Sequence, residues 1–165
     1  MNTTAEEGSQ RLVAVRLRGS SGLTHEVELT LRSLRLLRIY TAVILDDRLE
    51  VTGMLRKAKD TLTWGEVSGE TVGLLLKKRG RTEGDARLLD SFAKNFNLTT
   101  LDELGASVAE GRTPLERLWE SGVKPYFSLH PPTGGFHGTV RRPFGSSGEL
   151  GYRGKAIRDL IPRMV

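Results

Sequence analysis

The chain has 165 residues, no cysteine, and a net charge of +5 from 25 lysines and arginines against 20 acids. That length makes one domain that can bury about two-thirds of its unfolded surface without covalent staples. The missing cysteine excludes disulfides, thiolate catalysis and cysteine-bound zinc or iron–sulfur centres.

Residues 1–10 are polar and slightly acidic, with no signal-peptide pattern, and are expected to be a flexible tail. Leu12, Val13, Ala14, Val15 and Leu17, interrupted by Arg16 and Arg18, predict a first strand. The Gly19–Gly22 turn ends it, and Thr24 can cap a helix carrying Val27, Leu31 and Leu34 on one face. Ile39 to Leu45 is a continuous apolar run that suits a buried strand and is too short to cross a bilayer. Asp46 and Asp47 end it and can cap a second helix, with Val51, Met54, Leu55 and Ala58 as its stripe. Leu62 to Val67 predicts a third strand. Ser68 can cap a helix over 70–79, stopped by Gly80. Residues 85–122 predict small helices, with capping-box patterns at Thr100–Glu103 and Thr113–Glu116. A short amphipathic helix over 155–164 is expected to end near Pro162.

The stretch 124–155 is different in kind. It holds four of the six prolines, seven of the 19 glycines and five aromatics, with five cations facing one acid, Glu149. Such composition argues against long regular helix or central strand, and its aromatics argue against plain disorder. Charge is uneven along the chain as well. Residues 11–81 carry fourteen cations and eight acids, whereas 85–120 carry four and seven. Two basic blocks around an acidic one suit a molecule that meets a polyanion on one face. Glycines allow close backbone approach, cations neutralise phosphates, and aromatic or imidazole rings stack on exposed bases. The stretch therefore reads as an RNA-binding loop, with 130–154 expected to be mobile until RNA orders it.

Several short strings, in order and at consistent spacing, carry a family resemblance. They are Leu36-Leu37-Arg38-Ile39, Gly53-Met54-Leu55-Arg56-Lys57 with Lys59-Asp60, Thr63-Trp64-Gly65-Glu66 and Arg79-Gly80-Arg81. The loop adds Leu129-His130-Pro131-Pro132, Gly134-Gly135-Phe136 and Gly148-Glu149-Leu150-Gly151-Tyr152-Arg153-Gly154. Together they resemble the large-subunit ribosomal protein family numbered thirty in bacteria and seven in eukaryotes, in its longer archaeal-type form. Two departures stand out: Asp47-Arg48-Leu49 lacks a proline that often starts the second helix, and Ala58 replaces a larger aliphatic.

The resemblance implies an α+β fold, a β-α-β-α-β core (11–67) with a three-stranded antiparallel sheet and two helices, somewhat ferredoxin-like. A helical insert (68–122), the glycine-rich loop (123–154) and the short C-terminal helix complete a single domain over 11–165. It also implies a non-catalytic structural constituent of the large ribosomal subunit in the cytoplasm. The implied partners are 23S rRNA, with 5S rRNA as a further candidate, and neighbouring large-subunit proteins, with no membrane, cofactor or small-molecule substrate.

The candidate RNA-binding residues are Arg38, Gly53, Arg56, Lys57, Lys59, Arg79, Arg81, His130, Gly134, Gly135, Phe136, His137, Arg141, Arg142, Tyr152, Arg153 and Lys155. Gly53 is included because an interior helical glycine costs roughly 1 kcal/mol relative to alanine and so invites a contact reading. His130 and His137 lack companions for a zinc site, and Thr133–Gly138 lacks the spacing of a phosphate-binding loop. An RNA-processing enzyme, a non-ribosomal RNA-binding protein and a basic protein-interaction module are the alternatives. The enzyme reading lacks an acid/base pair or a cofactor fingerprint.

Overall fold

A computed structural model describes residues 10–165; apart from Gln10, the expected tail lies outside the described residues. Strands β1 (Arg11–Arg16), β2 (Thr41–Asp46) and β3 (Leu62–Glu66) alternate with helices α1 (His25–Ser33) and α2 (Leu49–Lys57), as the β-α-β-α-β reading expects. β1 lies between the other two and is antiparallel to both, with Ala14 opposite Val43 on one side and Trp64 on the other.

Both faces of this sheet are covered, which is why β1 is apolar without alternation. Leu12, Ala14, Val43, Leu62 and Trp64 meet Leu31, Leu34, Leu55 and Ala58, from α1 and α2 and the turns that follow them. Val13, Val15, Ala42 and Ile44 face the other way, onto α3 (Gly69–Arg79), α4 (Leu101–Ala109), α5 (Leu115–Glu120) and α6 (Ile157–Met164). The helical insert is thus the second cover of the sheet.

Local signals account for most boundaries. Thr24 accepts a hydrogen bond from the Val27 amide, Ser68 from Thr71, and Thr100 from Glu103, so three of the expected caps form. Two do not. α2 starts after Arg48 without a side-chain cap, because Asp46 stays in β2 and pairs with Arg11 and Arg48. Thr113 bonds Ser107 at 2.6 Å instead of capping α5. α6 also runs past Pro162 to Met164.

The expected three-stranded sheet is corrected to six strands, ordered β4-β2-β1-β3-β6-β5. All three additions come from the stretch read as irregular: β4 (Phe127–Ser128), β5 (Thr139–Pro143) and β6 (Gly148–Tyr152). β4 extends the β2 edge and β6 the β3 edge, where Thr63 lies opposite Gly151. Pro143 sits at the end of the outermost strand, where a missing amide costs no ladder bond. At Gly148 a Cβ would lie 1.9 Å from the Arg142 carbonyl oxygen, so this glycine serves packing of the chain on itself.

Candidate nucleic-acid interface

Arg16, one of the two arginines that interrupt the first apolar run, is buried and organises the ground beneath the site. Its guanidinium donates to the carbonyls of Arg18 and Leu36, each at 2.8 Å, and to Ser20 Oγ at 3.0 Å. It thereby fixes the turn between α1 and β2. Within that turn Arg35 and Tyr40 adopt left-handed backbone, with φ of 61° and 60°. Arg35 stands at the end of α1, where the Leu36 amide bonds Leu31 O and glycine is the usual occupant.

A second device brings α3 to the same place. Thr82 bridges Val123, and the Lys124 amide donates to Arg81 O at 2.9 Å. Arg79 and Arg81, at the end of α3, therefore sit beside Lys124, Pro125 and Tyr126 at the start of β4. The result is an open cleft of about 620 Å³, walled by Arg35, Leu37, Arg38, Arg79, Arg81, Lys124 and Tyr126. Asp85 is the acid in its wall, 2.6 Å from Lys124 Nζ; the ammonium holds the Asp85 carboxyl below its usual range and is itself raised by it. The four arginines form no ion pair among the described residues, so the cleft keeps a concentrated positive field. Asp85 also has positive φ, 65°, so two of the five left-handed non-glycine residues among the described residues line this site.

A shallower hollow, lined by Leu17, Arg18, Ile39, Tyr40, Phe136 and Val140, continues round the end of the sheet. It leads to a groove between the Arg18–Thr24 turn and β5, bordered by Arg18, Lys57 and Arg141. Arg38, Arg79 and Arg81 of the sequence-predicted set thus converge in the cleft, while Arg141 and Arg142 lie exposed on β5 at the opposite edge of the sheet. Arg56 and Lys59 are exposed around α2, Lys57 is paired with Glu26, and Lys155 is exposed beside Gly154. Gly53 is exposed as well, and a Cβ there would meet nothing within 4 Å, so no helix of this chain requires the glycine.

Other predicted residues are turned inward. Arg153 is buried, donating to Glu149 Oε2 at 2.5 Å, Glu149 O at 2.7 Å and Thr63 Oγ1 at 2.7 Å, with its guanidinium 4.8 Å from the Phe144 ring centroid. This fastens β6 to β3. His130 faces backbone oxygens of Pro131 and Val165 through its two ring nitrogens, and Phe136 packs partly into the core. Gly134 and Gly135 form a turn with φ of 81° and 78°, and Arg163 donates to the Thr133 and Gly135 carbonyls. His137 is exposed. Tyr152 is exposed too, bonded to Glu66 and tilted against Trp64 with centroids 6.3 Å apart.

Sequence reasoning missed Arg35 and Arg18 as site residues, along with Lys124 and Tyr126. Lys124 and Tyr126 sit 45 residues or more beyond Arg79, and the signal that unites them is the pairing of 81–83 with 122–124. Among the described residues there is no cluster of metal-ligating side chains and no helix long and apolar enough to cross a membrane.

Residues 12–62 match the protein family described as ribosomal protein L30p/L7e. Over nearly its whole length the chain is similar to proteins named large ribosomal subunit protein uL30. It is 43% identical to that of Thermofilum pendens over 154 residues, covering 93% of this chain and 97% of the relative. The Methanopyrus kandleri protein is 42% identical, covering 90% of this chain and all of the relative. The Aeropyrum pernix protein is 43% identical, covering 92% and 96%.

Proposed function

The chain belongs to the ribosomal protein L30p/L7e family, and on that premise we propose that it is a structural constituent of the large ribosomal subunit that binds 23S rRNA. It is not an enzyme, since the relatives that it matches are named as proteins of the large ribosomal subunit. Its place is the cytoplasmic ribosome, with rRNA and neighbouring large-subunit proteins as partners and 5S rRNA as a further candidate.

The observation that carries the reading is the cleft, where five cations from three separate segments meet around one acid. Such a cluster is costly for a lone protein, because like charges repel, and a polyphosphate backbone relieves it. The exposed cations of β5 and α2 extend the same logic to the other sheet edge and to the outer helical layer. Recognition would rest mainly on RNA shape and phosphate positions.

The test is salt-dependent binding of the full chain to 23S rRNA fragments. Arg79→Ala and Arg81→Ala are expected to weaken binding and to reduce the slope of log K against log salt by about 0.7–0.9 each. The same is expected for Arg141→Ala and Arg142→Ala if β5 also lies on RNA. Unchanged slopes in all four variants would remove the rRNA reading. A basic module for acidic protein partners would behave that way.

A further inference from the structure

We propose that the cleft at the β4 edge holds one unpaired nucleotide, its base laid on the ring of Tyr126 and its flanking phosphates on Arg38, Arg79 and Arg81. The inference rests on the rRNA reading above and sharpens it.

Tyr126 is 37% exposed, its hydroxyl makes no hydrogen bond to the described residues, and its ring pairs with no other aromatic among them. Its neighbour Phe127 is fully buried. Tyr126 lies in the bend just before β4 and lines the cleft together with Ser128, and Pro125 restricts the backbone just before it. The ring is therefore held in place by the core and presented to solvent, which lowers the entropic cost of stacking on it.

The surroundings are apolar as well as cationic. Leu37, in the cleft wall beside Arg38, is 63% exposed. A duplex exterior offers phosphate and ribose, which would satisfy the arginines and leave the Tyr126 and Leu37 surfaces wet. An acidic peptide has the same shortcoming. An extruded base carries both a π-face and adjoining phosphates, so it alone matches the whole wall of the cleft. The left-handed Arg35 and Asp85 fit a rim whose shape is fixed in advance.

Anisotropy titrations of the full chain would use three labelled probes. These are a single-stranded oligouridylate, a blunt RNA duplex of two complementary strands that together carry as many phosphates, and an oligoglutamate of equal charge. Single strand is expected to be preferred over duplex, with Tyr126→Ala weakening it about tenfold while duplex affinity stays unchanged, and Tyr126→Phe retaining the preference. Unaltered duplex binding also reports that the Tyr126→Ala protein is folded. Equal affinity for the two RNAs, or equal losses on both, would overturn the proposal. So would oligoglutamate binding as tight as the oligouridylate and equally dependent on Tyr126. Failure here with the Arg79→Ala and Arg81→Ala salt slopes still reduced would leave rRNA binding standing; unchanged slopes would remove that reading itself.

Discussion

Arg35 holds a position that the backbone offers to glycine: φ is 61° at the end of α1, and a side chain there costs about 1 kcal/mol. The guanidinium it supplies enlarges the positive wall of the cleft. Arg35→Gly is therefore expected to raise unfolding free energy by about 1 kcal/mol while weakening rRNA-fragment binding, read by urea titration and filter binding on the same preparation. A stability gain with unchanged affinity would mean that Arg35 does not touch RNA. The buried Glu149–Arg153 pair runs opposite, giving stability at the expense of a contact. Burial alone would push the Glu149 carboxyl up, but the Gly138 amide and Arg153 outweigh it and hold the group below its ordinary range. A depressed carboxylate contributes stability that is present above its unfolded value, about 4.3, and lost as pH falls through its native one. Wild type is thus expected to exceed Glu149→Gln in stability at pH 7, with the gap closing as pH falls below about 4.3. A constant gap would show that the ionised form is not what the fold uses. At this scale the sequence was least legible. Arg153 and Arg141 look alike in a basic loop, and the positions of Glu149 and of Thr63 on β3 turn one of them inward.

Elements were far more legible, because caps, periodicity and glycine stops act within one turn of chain. α1, α3 and α4 begin at the residues whose side chains can accept an amide hydrogen bond, and β1–β3 fall where apolar runs lie between turns. What cannot be read locally is which surfaces meet. α3 and α4 approach through Gly69 and Gly73 on one helix and Gly105 and Ala106 on the other. A Cβ at Gly105 would lie 2.3 Å from the Gly73 amide nitrogen and 2.5 Å from its Cα, both rigid backbone atoms. Helix propensity favours alanine over glycine by about 1 kcal/mol, so on α4 alone Gly105→Ala would stabilise. Overpacking of a close helix pair costs about 1–3 kcal/mol and decides the sign. Gly105→Ala is expected to lower the unfolding midpoint, with the Arg79–Arg81 end of α3 displaced and cleft binding weakened in parallel. A raised midpoint would mean that the helices part without cost.

In the whole molecule, the stretch 124–155 runs from one edge of the sheet to the other. It adds β4 beside β2, passes the end of the sheet where Leu129 bonds Tyr40 O, and adds β6 and β5 beside β3. Its composition suggested a segment that waits for RNA, and the physical reason that this is incomplete lies in its anchors. Phe127 and Leu150 bury in the core, Arg153 binds across to β3, and the His130 and Thr133 amides bond Met164 O and Arg163 O of α6. None of those partners is near in sequence, so composition alone cannot reveal them. The remainder, from Gly138 through Ser147, is mostly exposed and includes the Arg141–Arg142 pair. Hydrogen exchange on the free chain should therefore divide the stretch. Amides of β6, with those of Leu129, His130 and Thr133, are expected to be protected, while 141–147 exchange rapidly. Addition of 23S rRNA fragment should then slow 141–147 and leave β6 unchanged, since β6 is already paired with β3. Uniform protection before RNA is added would make β5 a preformed rigid edge. Uniform exchange through β6 would mean that the Glu149–Arg153 anchor does not hold the stretch without RNA.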